Sequence, residues 1–562
     1  MWYTRVVIAG QNSGGIKKMP LDIPISNTLK EILSQLAAEG KRGLIVGGAV
    51  RDAVLGQIPK DIDVEVYGTS FPELAKLLSA YGHVIGASDE EGGGVVGKAF
   101  GVIKFRDPMG NDYDFSLPRR DSKTGEGHTG FDIQVDPSMT PQEAASRRDF
   151  TFNSLAFDPL TSDVHDYYGG LSDLQNGILR ATDPEKFGED PLRVLRGMQF
   201  AARMGLVVEP MTAELARQLA DRMPELYRSE TNPGGISRER VTEEFKKLVT
   251  KGKKPGSMIQ YLIDTGWIRY FPEIAAIVGV PQDPDWHPEG DVHIHTAHVM
   301  DAAAEIADRE GLTGDDRAVL IYAALGHDFA KATHTEQREK GGRLRWTAHG
   351  HEAAGGPLVH QFLKSIGERS SVIRRVVPIV ERHLEHINHK GPNISKGAIR
   401  KLARELGSGT IRDLALLMEA DASGRPPLEK QMPEGAAWLL EAAKADGVHD
   451  KQPPKLIQGR HVLPFYQGKA GPHIGQAVEA AYNAYIQGKW HTEEEGVQWV
   501  KDYIQRQASL LRGDHILPYF GGRGGPYVKD ILNEAWEAQN AGAFTDEPTA
   551  LQWLDQRMNS AQ

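Results

Sequence analysis

The alternation of apolar and polar positions divides the chain into a mixed first part and a helical remainder. From Lys41 an apolar run (GLIV) meets the Gly47-Gly48 pair. A short amphipathic stretch (AVRDAVLG) follows, then the strictly alternating DIDVEVYG. Period two predicts a half-buried strand, and apolar residues three and four apart predict a helix, so the segment reads strand, turn, helix, strand. FPELAKLLSAYG predicts another helix. FGVIKFRD and NDYDFSLP alternate around the turn-forming DPMGND and predict a hairpin on the same sheet. A Gly-rich stretch, SKTGEGHTGFD, comes next. The run RVVIAG near the start reads as a cap or an edge strand. Beyond about residue 180 strand signals vanish, and amphipathic helices follow one another: PLRVLRGMQFAARMG, MTAELARQLADRM and SRERVTEEFKKLVTKG.

The last hundred residues repeat. At a shift of 54 positions Gly459, His461, Leu463, Pro464, Gly468, Gly471, Pro472 and Trp499 recur as Gly513, His515, Leu517, Pro518, Gly522, Gly525, Pro526 and Trp553. So many identities at one offset mean duplication of a Gly/Pro loop and two helices, a module with no catalytic set of its own. Extra RNA contact or packing into a homodimer are the two roles open to it. With KQPPK as a stiff linker, the expected segments are an extension (1–25), a mixed head (26–178), a helical body (179–280), a His-rich helical domain (281–450) and repeats at 456–505 and 510–562. The fold class is α+β: a small mixed sheet, then helices.

Composition narrows the chemistry. The 562 residues are 40% hydrophobic and 25% charged, ordinary for several globular domains. No cysteine is present, so metals must be held by His, Asp and Glu, and a reducing compartment fits. The longest apolar stretches fall well short of a bilayer span, and MWYTRVVIAGQNSGG lacks the layout of a signal peptide, so a cytoplasmic protein without membrane contact is expected. A net charge of −11 means that any nucleic-acid surface must be local, among LPRRDSK, SRRDF, PLRVLRGMQFAAR and SRERVTEEFKK.

Two constellations carry chemistry. Asp61 and Asp63 stand two apart on a predicted strand, so both carboxylates point to one face and can share metal ions that activate a hydroxyl and neutralise a leaving pyrophosphate. A bare pair of this kind usually means alternating solvated acids. Here the upstream Gly47-Gly48 turn opens a helix whose N–H groups suit a triphosphate, with Arg51 one turn in for phosphate oxygens. The second constellation is His295, the His327-Asp328 pair, His351, His383 and Asp421. Imidazole and carboxylate without thiolate suit Ni, Mn, Co, Zn or Fe. His349 is a candidate extra ligand, whereas His298 and His386 read as solvent-facing.

GGAVRDAVLG with DID resembles the first motif of class II tRNA nucleotidyltransferases and bacterial poly(A) polymerases, a branch of the polymerase-beta superfamily. SRRDFTFNSLAFD, HDYYGGLSDLQNGILR, GEDPLRVLRGMQFAARMGL and ISRERVTEEFKKL resemble the next four in family order, over about residues 40–250; Phe152 and Ser154 depart from the usual second motif. The resemblance implies Mg2+ at Asp61 and Asp63. It implies that Arg148 and Asp149, with Arg147 beside them, hold the nucleotide's phosphates and ribose, and that Glu189, Asp190 and Arg193, with Arg196 a turn on, read the base. An Asp acceptor beside an Arg donor matches cytosine and adenine, which pair an amino donor with a ring-nitrogen acceptor, and mismatches guanine and uracil. Asp114 is a candidate third carboxylate by analogy with the wider superfamily, and Arg119 and Arg120 are candidate phosphate contacts. The histidine segment resembles an HD-domain phosphohydrolase, a combination found in bacterial CCA-adding enzymes. The expected function is therefore addition of the 3′-terminal CCA to tRNA from CTP and ATP, with an attached phosphohydrolase clearing 2′,3′-cyclic or terminal phosphates. The alternatives are a poly(A) polymerase, a partial CC- or A-adding enzyme, or an HD hydrolase with an RNA-binding head.

Overall fold

The computed structural model describes residues 15–85, 102–123, 131–466, 468 and 470–559. RVVIAG lies outside these residues, as does most of the Gly-rich stretch. Contacts divide the chain into two compact units, Met1–Leu384 with Leu416–Pro433, and Glu385–Ala415 with Glu434–Gln562.

The first unit begins with strands β1 (Ile16–Lys18), β2 (Arg42–Val46), β3 (Asp63–Tyr67), β4 (His83–Val84), β5 (Val102–Arg106), β6 (Asp112–Ser116), β7 (Arg119–Lys123), β8 (Phe131–Val135), β9 (Ala156–Asp158) and β10 (Asp163–His165). Eight of them form one mixed sheet in the order β1-β10-β9-β2-β3-β6-β5-β4, and β7 and β8 pair separately. The expected hairpin is β5–β6. Its turn is built on buried Asp107, whose carboxylate accepts from the N–H of Met109 and Asn111 at 2.9 Å each. One pairing matters most for the site: β3 and β6 run parallel with Asp63 opposite Asp114.

The helix Asn27–Ala38 begins at Ser26, whose side chain accepts from the Leu29 N–H at 3.1 Å. It buries Leu29, Ile32, Leu33 and Leu36 almost completely. Gly43 of β2 admits this helix, since a Cβ there would lie 2.5 Å from Leu33 Cδ2. Burying each of these side chains stabilises the head by about 1.5–3 kcal/mol, as an upper estimate.

The helices Leu192–Met204, Pro210–Arg222 and Arg238–Lys251 follow as the periodicity predicts, and Val292–Arg309, Gly314–Gly326, His351–Ser365 and Ser370–Glu381 build the histidine-bearing part. The expectation of no strands past residue 180 is corrected twice. Ile178–Leu179 pairs in parallel with Val207–Val208, and Glu336–Lys340 forms an antiparallel ribbon with Arg343–Thr347. The ribbon escaped a hydrophobicity reading because its first strand is exposed along its whole length. Its signal was the Gly341-Gly342 turn, both at positive φ.

In the second unit Arg400, on the helix Lys396–Glu405, donates to both Asp446 oxygens at 2.7 and 2.9 Å and lies 4.0 Å over the Tyr485 ring. The repeat holds in three dimensions. Gly459–Val462, Pro472–Ile486 and Glu493–Ala508 recur as Gly513–Ile516, Pro526–Asn540 and Glu547–Asn559. Each copy has its own core, one around Val462, Tyr485 and Trp490 and the other around Ile516, Ala535 and Leu554. The His461–Glu493 contact of the first recurs as His515–Glu547.

Candidate active sites

β2 ends at Val46, and the next residue, Gly47, adopts φ 71° and opens the helix Gly48–Val54. A Cβ at Gly47 would strain this conformation and come 3.0 Å from Arg148 Nη1, so glycine is required twice over. A cavity of about 370 Å3 opens here. Its walls include Gly47, Gly48, Arg51, Arg148, Asp149, Asp190, Arg193 and Arg196 from the expected nucleotide set, together with Asp63. Glu189 precedes the wall and is half-buried, and it is not among the lining residues.

The carboxylates differ from expectation in one respect. Asp63 starts β3, but Asp61 lies in the turn before it and is exposed, so strand alternation does not orient the pair. The third carboxylate comes from tertiary pairing: Asp114, opposite Asp63, receives Lys104 Nζ at 3.2 Å on both oxygens. Burial raises the Asp63 pKa. Arg148 opposes this, and the charges of Asp114 and Asp61 add to it. Such mutual repulsion is what a divalent cation relieves, so the residues present fit a magnesium site.

The arginines are held in place from behind. Glu65, two residues along β3 and 2% exposed, accepts from Arg147 Nη2 at 2.8 Å and from the Tyr67 hydroxyl at 2.7 Å, and Arg148 Nη2 lies 3.8 Å away. Burial would raise the Glu65 pKa, but Arg148 and Arg147 hold it below the usual range. Asp149, also buried, accepts from Arg196 Nε at 2.6 Å and Asn153 Nδ2 at 2.9 Å, while Asn153 Oδ1 accepts from Arg51 Nη1 at 2.7 Å. Beneath them Phe200 presents its ring to the guanidinium groups of Arg51, Arg196 and Arg203, 5.2–5.7 Å from the centroid. Phe152, one of the two departures from the usual motif, is fully buried edge-on to Phe200 at 5.3 Å.

Asp190 accepts the Leu192 N–H at 3.1 Å, at the start of the helix Leu192–Met204, and both Nη atoms of Arg240 at 2.7 and 3.3 Å. Arg193 donates to the carbonyls of Lys186 and Arg147 at 2.6 and 2.9 Å. Arg240 and Asn153 are cavity residues that sequence reasoning did not single out. Both stood inside quoted motifs, yet only the packing shows what they touch. The Arg119 side chain is placed on β7 outside the cavity lining, and that of Arg120 lies outside the described side chains.

The second site gathers all six expected residues. His295, His327, Asp328, His351, His383 and Asp421 are each at most 6% exposed. They form two groups whose ligand atoms lie within 4.8 Å of one another, His295 with His327 and Asp421, and Asp328 with His351 and His383. His349 and His298 are exposed, His386 is half-buried, and none of the three belongs to either group. Gly326 permits close packing just before His327, since a Cβ there would meet Val359 Cγ2 at 2.4 Å.

The ring orientations are fixed from outside. Nδ1 of His327, His351 and His383 donates to the carbonyls of Ala324, Ala348 and Val380, which leaves each Nε2 as a lone pair. His295 Nε2 lies 3.1 Å from Asp421, His327 Nε2 3.1 Å and His351 Nε2 3.2 Å from Asp328. Asp328 Oδ1 and His351 Nε2 are nevertheless buried without a hydrogen-bond partner, while Lys331 Nζ lies 2.8 Å from Asp328 Oδ2. Convergent lone pairs of this kind fit a metal. Burial, with His327 and His351 nearby, pushes the His383 pKa down to about 3, the neutral form a ligand needs. Burial would raise the Asp328 pKa, but His327, when protonated, and Lys331 hold it well below the usual range. Glu289, which sequence reasoning missed, lies 2.7 Å from His295 Nδ1 and 2.8 Å from His287 Nδ1, so it orients His295 from behind. Its signal was the spacing in HPEGDVHIH.

A family model described as a Poly A polymerase head domain matches residues 44–180, and an HD domain model matches residues 292–424. The multifunctional CCA protein of Xanthomonas campestris pv. campestris (strain B100) is 34% identical over 456 residues, 79% of this chain and 97% of that protein. That of Xanthomonas oryzae pv. oryzae (strain MAFF 311018) is 34% identical over 458 residues with the same coverage. Among solved structures, the Bacillus stearothermophilus CCA-adding enzyme in complex with CTP has a TM-score of 0.52 at 18% identity, covering 86% of this chain and 99% of that one. An apo form of a CCA-adding enzyme has 0.51 at 16%, covering 85% and 96%. At these identities the likeness is one of fold.

Proposed function

This chain belongs to the family of multifunctional CCA proteins, and on that premise we propose that it adds or repairs the 3′-terminal CCA of tRNA from CTP and ATP, releasing pyrophosphate, and hydrolyses phosphoesters at its HD centre. The observation that carries the reading is one cavity with Asp63 in its wall beside Arg51, Arg148, Asp190 and Arg193. Magnesium held by Asp61 and Asp63, with Asp114 alongside, would supply activation of the attacking RNA hydroxyl and neutralisation of the departing pyrophosphate.

The chain's own groups do the rest. Arg51 and Arg148, with the N–H groups at Gly47 and Gly48, hold phosphate oxygens. Asp149 takes the ribose and keeps Arg196 in place. Asp190 offers an acceptor and Arg193 a donor to the base edge. Because both are pinned by neighbours, they cannot swing to suit guanine or uracil, whose donor and acceptor are reversed. Glu189 contributes from just outside the cavity wall.

At the second centre a transition metal (Ni, Mn, Co, Zn or Fe) held by the four histidines with Asp328 and Asp421 would supply Lewis acidity for phosphoester hydrolysis. Lys331 Nζ, 2.8 Å from Asp328, balances charge there. We assign the head to residues 26–178, the neck to 179–280, the HD part to 281–450 and the repeats to 456–505 and 510–562. Among the described residues no helix is long and apolar enough to cross a membrane, and a cytoplasmic location fits action on tRNA. Family membership and the complete HD cluster favour CCA addition over polyadenylation or a hydrolase with a passive head.

The test is incubation with tRNA lacking its 3′ end and each labelled nucleotide in turn. Ordered addition of two C and one A is expected. Asp61→Ala with Asp63→Ala stops addition and leaves hydrolysis, and His327→Ala with Asp328→Ala does the reverse. Addition surviving the first pair overturns the assignment.

A further inference from the structure

Beside the HD centre lies a cavity of about 180 Å3 that the reaction above does not use. His351 and Lys331 border it on the metal side, and Trp286 and Trp346 border it as well. Trp286 is 65% exposed, a large apolar surface left to water, and Trp346 is half-buried. They come from different segments. Trp286 precedes His287 in the loop leading to the helix Val292–Arg309, and Trp346 lies on the ribbon strand Arg343–Thr347. Arg345, next to Trp346, joins the two segments through Asp283 at 3.2 Å and Asp285 at 2.7 Å. The exposed ribbon thus has a definite purchase on the mouth of the centre.

We propose that Trp286 and Trp346 are the side chains that hold the base of a nucleotide phosphoester at the HD centre, whether the nucleotide is free or ends an RNA, a platform that sets the base against the indoles and the phosphate toward Lys331 and His351. This rests on the hydrolase reading of the centre. An indole face left partly in water is covered favourably by a planar base, whichever base it is, so the platform selects for a base without reading its identity. The cavity admits one ring system and not a run of stacked nucleotides, so the platform serves a chain end or a mononucleotide.

The experiment uses the full-length protein with Mn2+ or Ni2+ and two substrates, adenosine 2′,3′-cyclic phosphate and the base-less glycerol 1,2-cyclic phosphate. Trp286→Ala with Trp346→Ala should raise KM for the nucleotide about tenfold or more, the effect of removing base-stacking side chains. It should change its kcat little and leave the glycerol ester alone. The Phe variants should recover part of the loss. Calorimetry with adenosine 2′-phosphate, the head filled with CTP, should show the same weakening. Equal losses on both esters, or no loss on either, overturn the platform. If the wild type hydrolyses neither ester but nucleotide binding still depends on the tryptophans, the hydrolase reading falls and the platform stands. If hydrolysis proceeds with KM and binding indifferent to the tryptophans, the platform falls alone. An RNA ending in a 2′,3′-cyclic phosphate, compared with the mononucleotide, shows which of the two is preferred.

Discussion

Replacing Arg240 with Ala tests whether the base-reading pair is held rigidly by its surroundings. Arg240 gives Asp190 two hydrogen bonds, at 2.7 and 3.3 Å, and both side chains are about a quarter exposed. Without Arg240 the Asp190 carboxylate keeps only the Leu192 N–H and is free to turn. Hydrogen bonds to a charged group contribute about 1.5–3 kcal/mol. At about 1.4 kcal/mol per decade, the loss in kcat/KM for CTP is about 10–150-fold if the orientation of Asp190 is used in the transition state. Discrimination should fall with it, because a mobile carboxylate can also accept from the ring N–H of uracil. The assay is single-nucleotide addition to tRNA lacking its 3′ end, with CTP and UTP measured separately, beside a thermal melt. Arg240→Lys, which keeps the charge but not the fork, should recover part of the activity. A variant that loses less than threefold on CTP and keeps the wild-type CTP-to-UTP ratio would refute the reasoning. So would a parallel loss on both nucleotides with a large drop in melting temperature, which marks a merely structural pair.

Three further outcomes are expected. Since the Asp63 pKa is raised, its carboxyl binds a proton at a higher pH than an ordinary aspartate, and Mg2+ needs the ionised form. The Mg2+ concentration for half-maximal addition should therefore rise as pH falls through that raised value, and Asp114→Asn, by removing a neighbouring negative charge, should move the onset to lower pH; an unshifted onset would count against the carboxylate cluster. Glu289→Gln should cost the HD centre about 10–100-fold in metal affinity, as loss of an orienting partner does, read by metal content after dialysis against a metal buffer, with CCA addition unchanged; full metal retention would remove Glu289 from the site. Deleting residues 510–562 should leave the melting of the remainder in place, because the second repeat's core around Ile516 and Leu554 is its own; a remainder that aggregates would show that the repeats fold as one, and a mass measurement on the same protein reports whether the second copy holds two chains together.

Sequence alone carried the local chemistry and its order along the chain. The Gly47-Gly48 turn, the Asp61/Asp63 spacing and the histidine order are legible because each is written in a few adjacent residues or in a fixed sequence of them. The helices past residue 180 are legible because an amphipathic face has a period. The 54-residue duplication needs only a comparison of the chain with itself.

What tertiary structure decided is who stands beside whom. Asp114 reaches Asp63 only because β3 and β6 pair in parallel in that register, across some fifty residues of chain that encode no such distance. Glu65 looks like one more strand acid until Arg147 is seen on it, and Arg240 like one more helix charge until it closes on Asp190. The ribbon bearing Trp346 opens on a strand, Glu336–Lys340, with no apolar residue to announce it, and Glu289 supports His295 from a loop. Ligand types and motif order are local properties of the chain. Orientation, burial and the partner that pins each group arise from contacts between distant segments, and these exist only once the chain has folded.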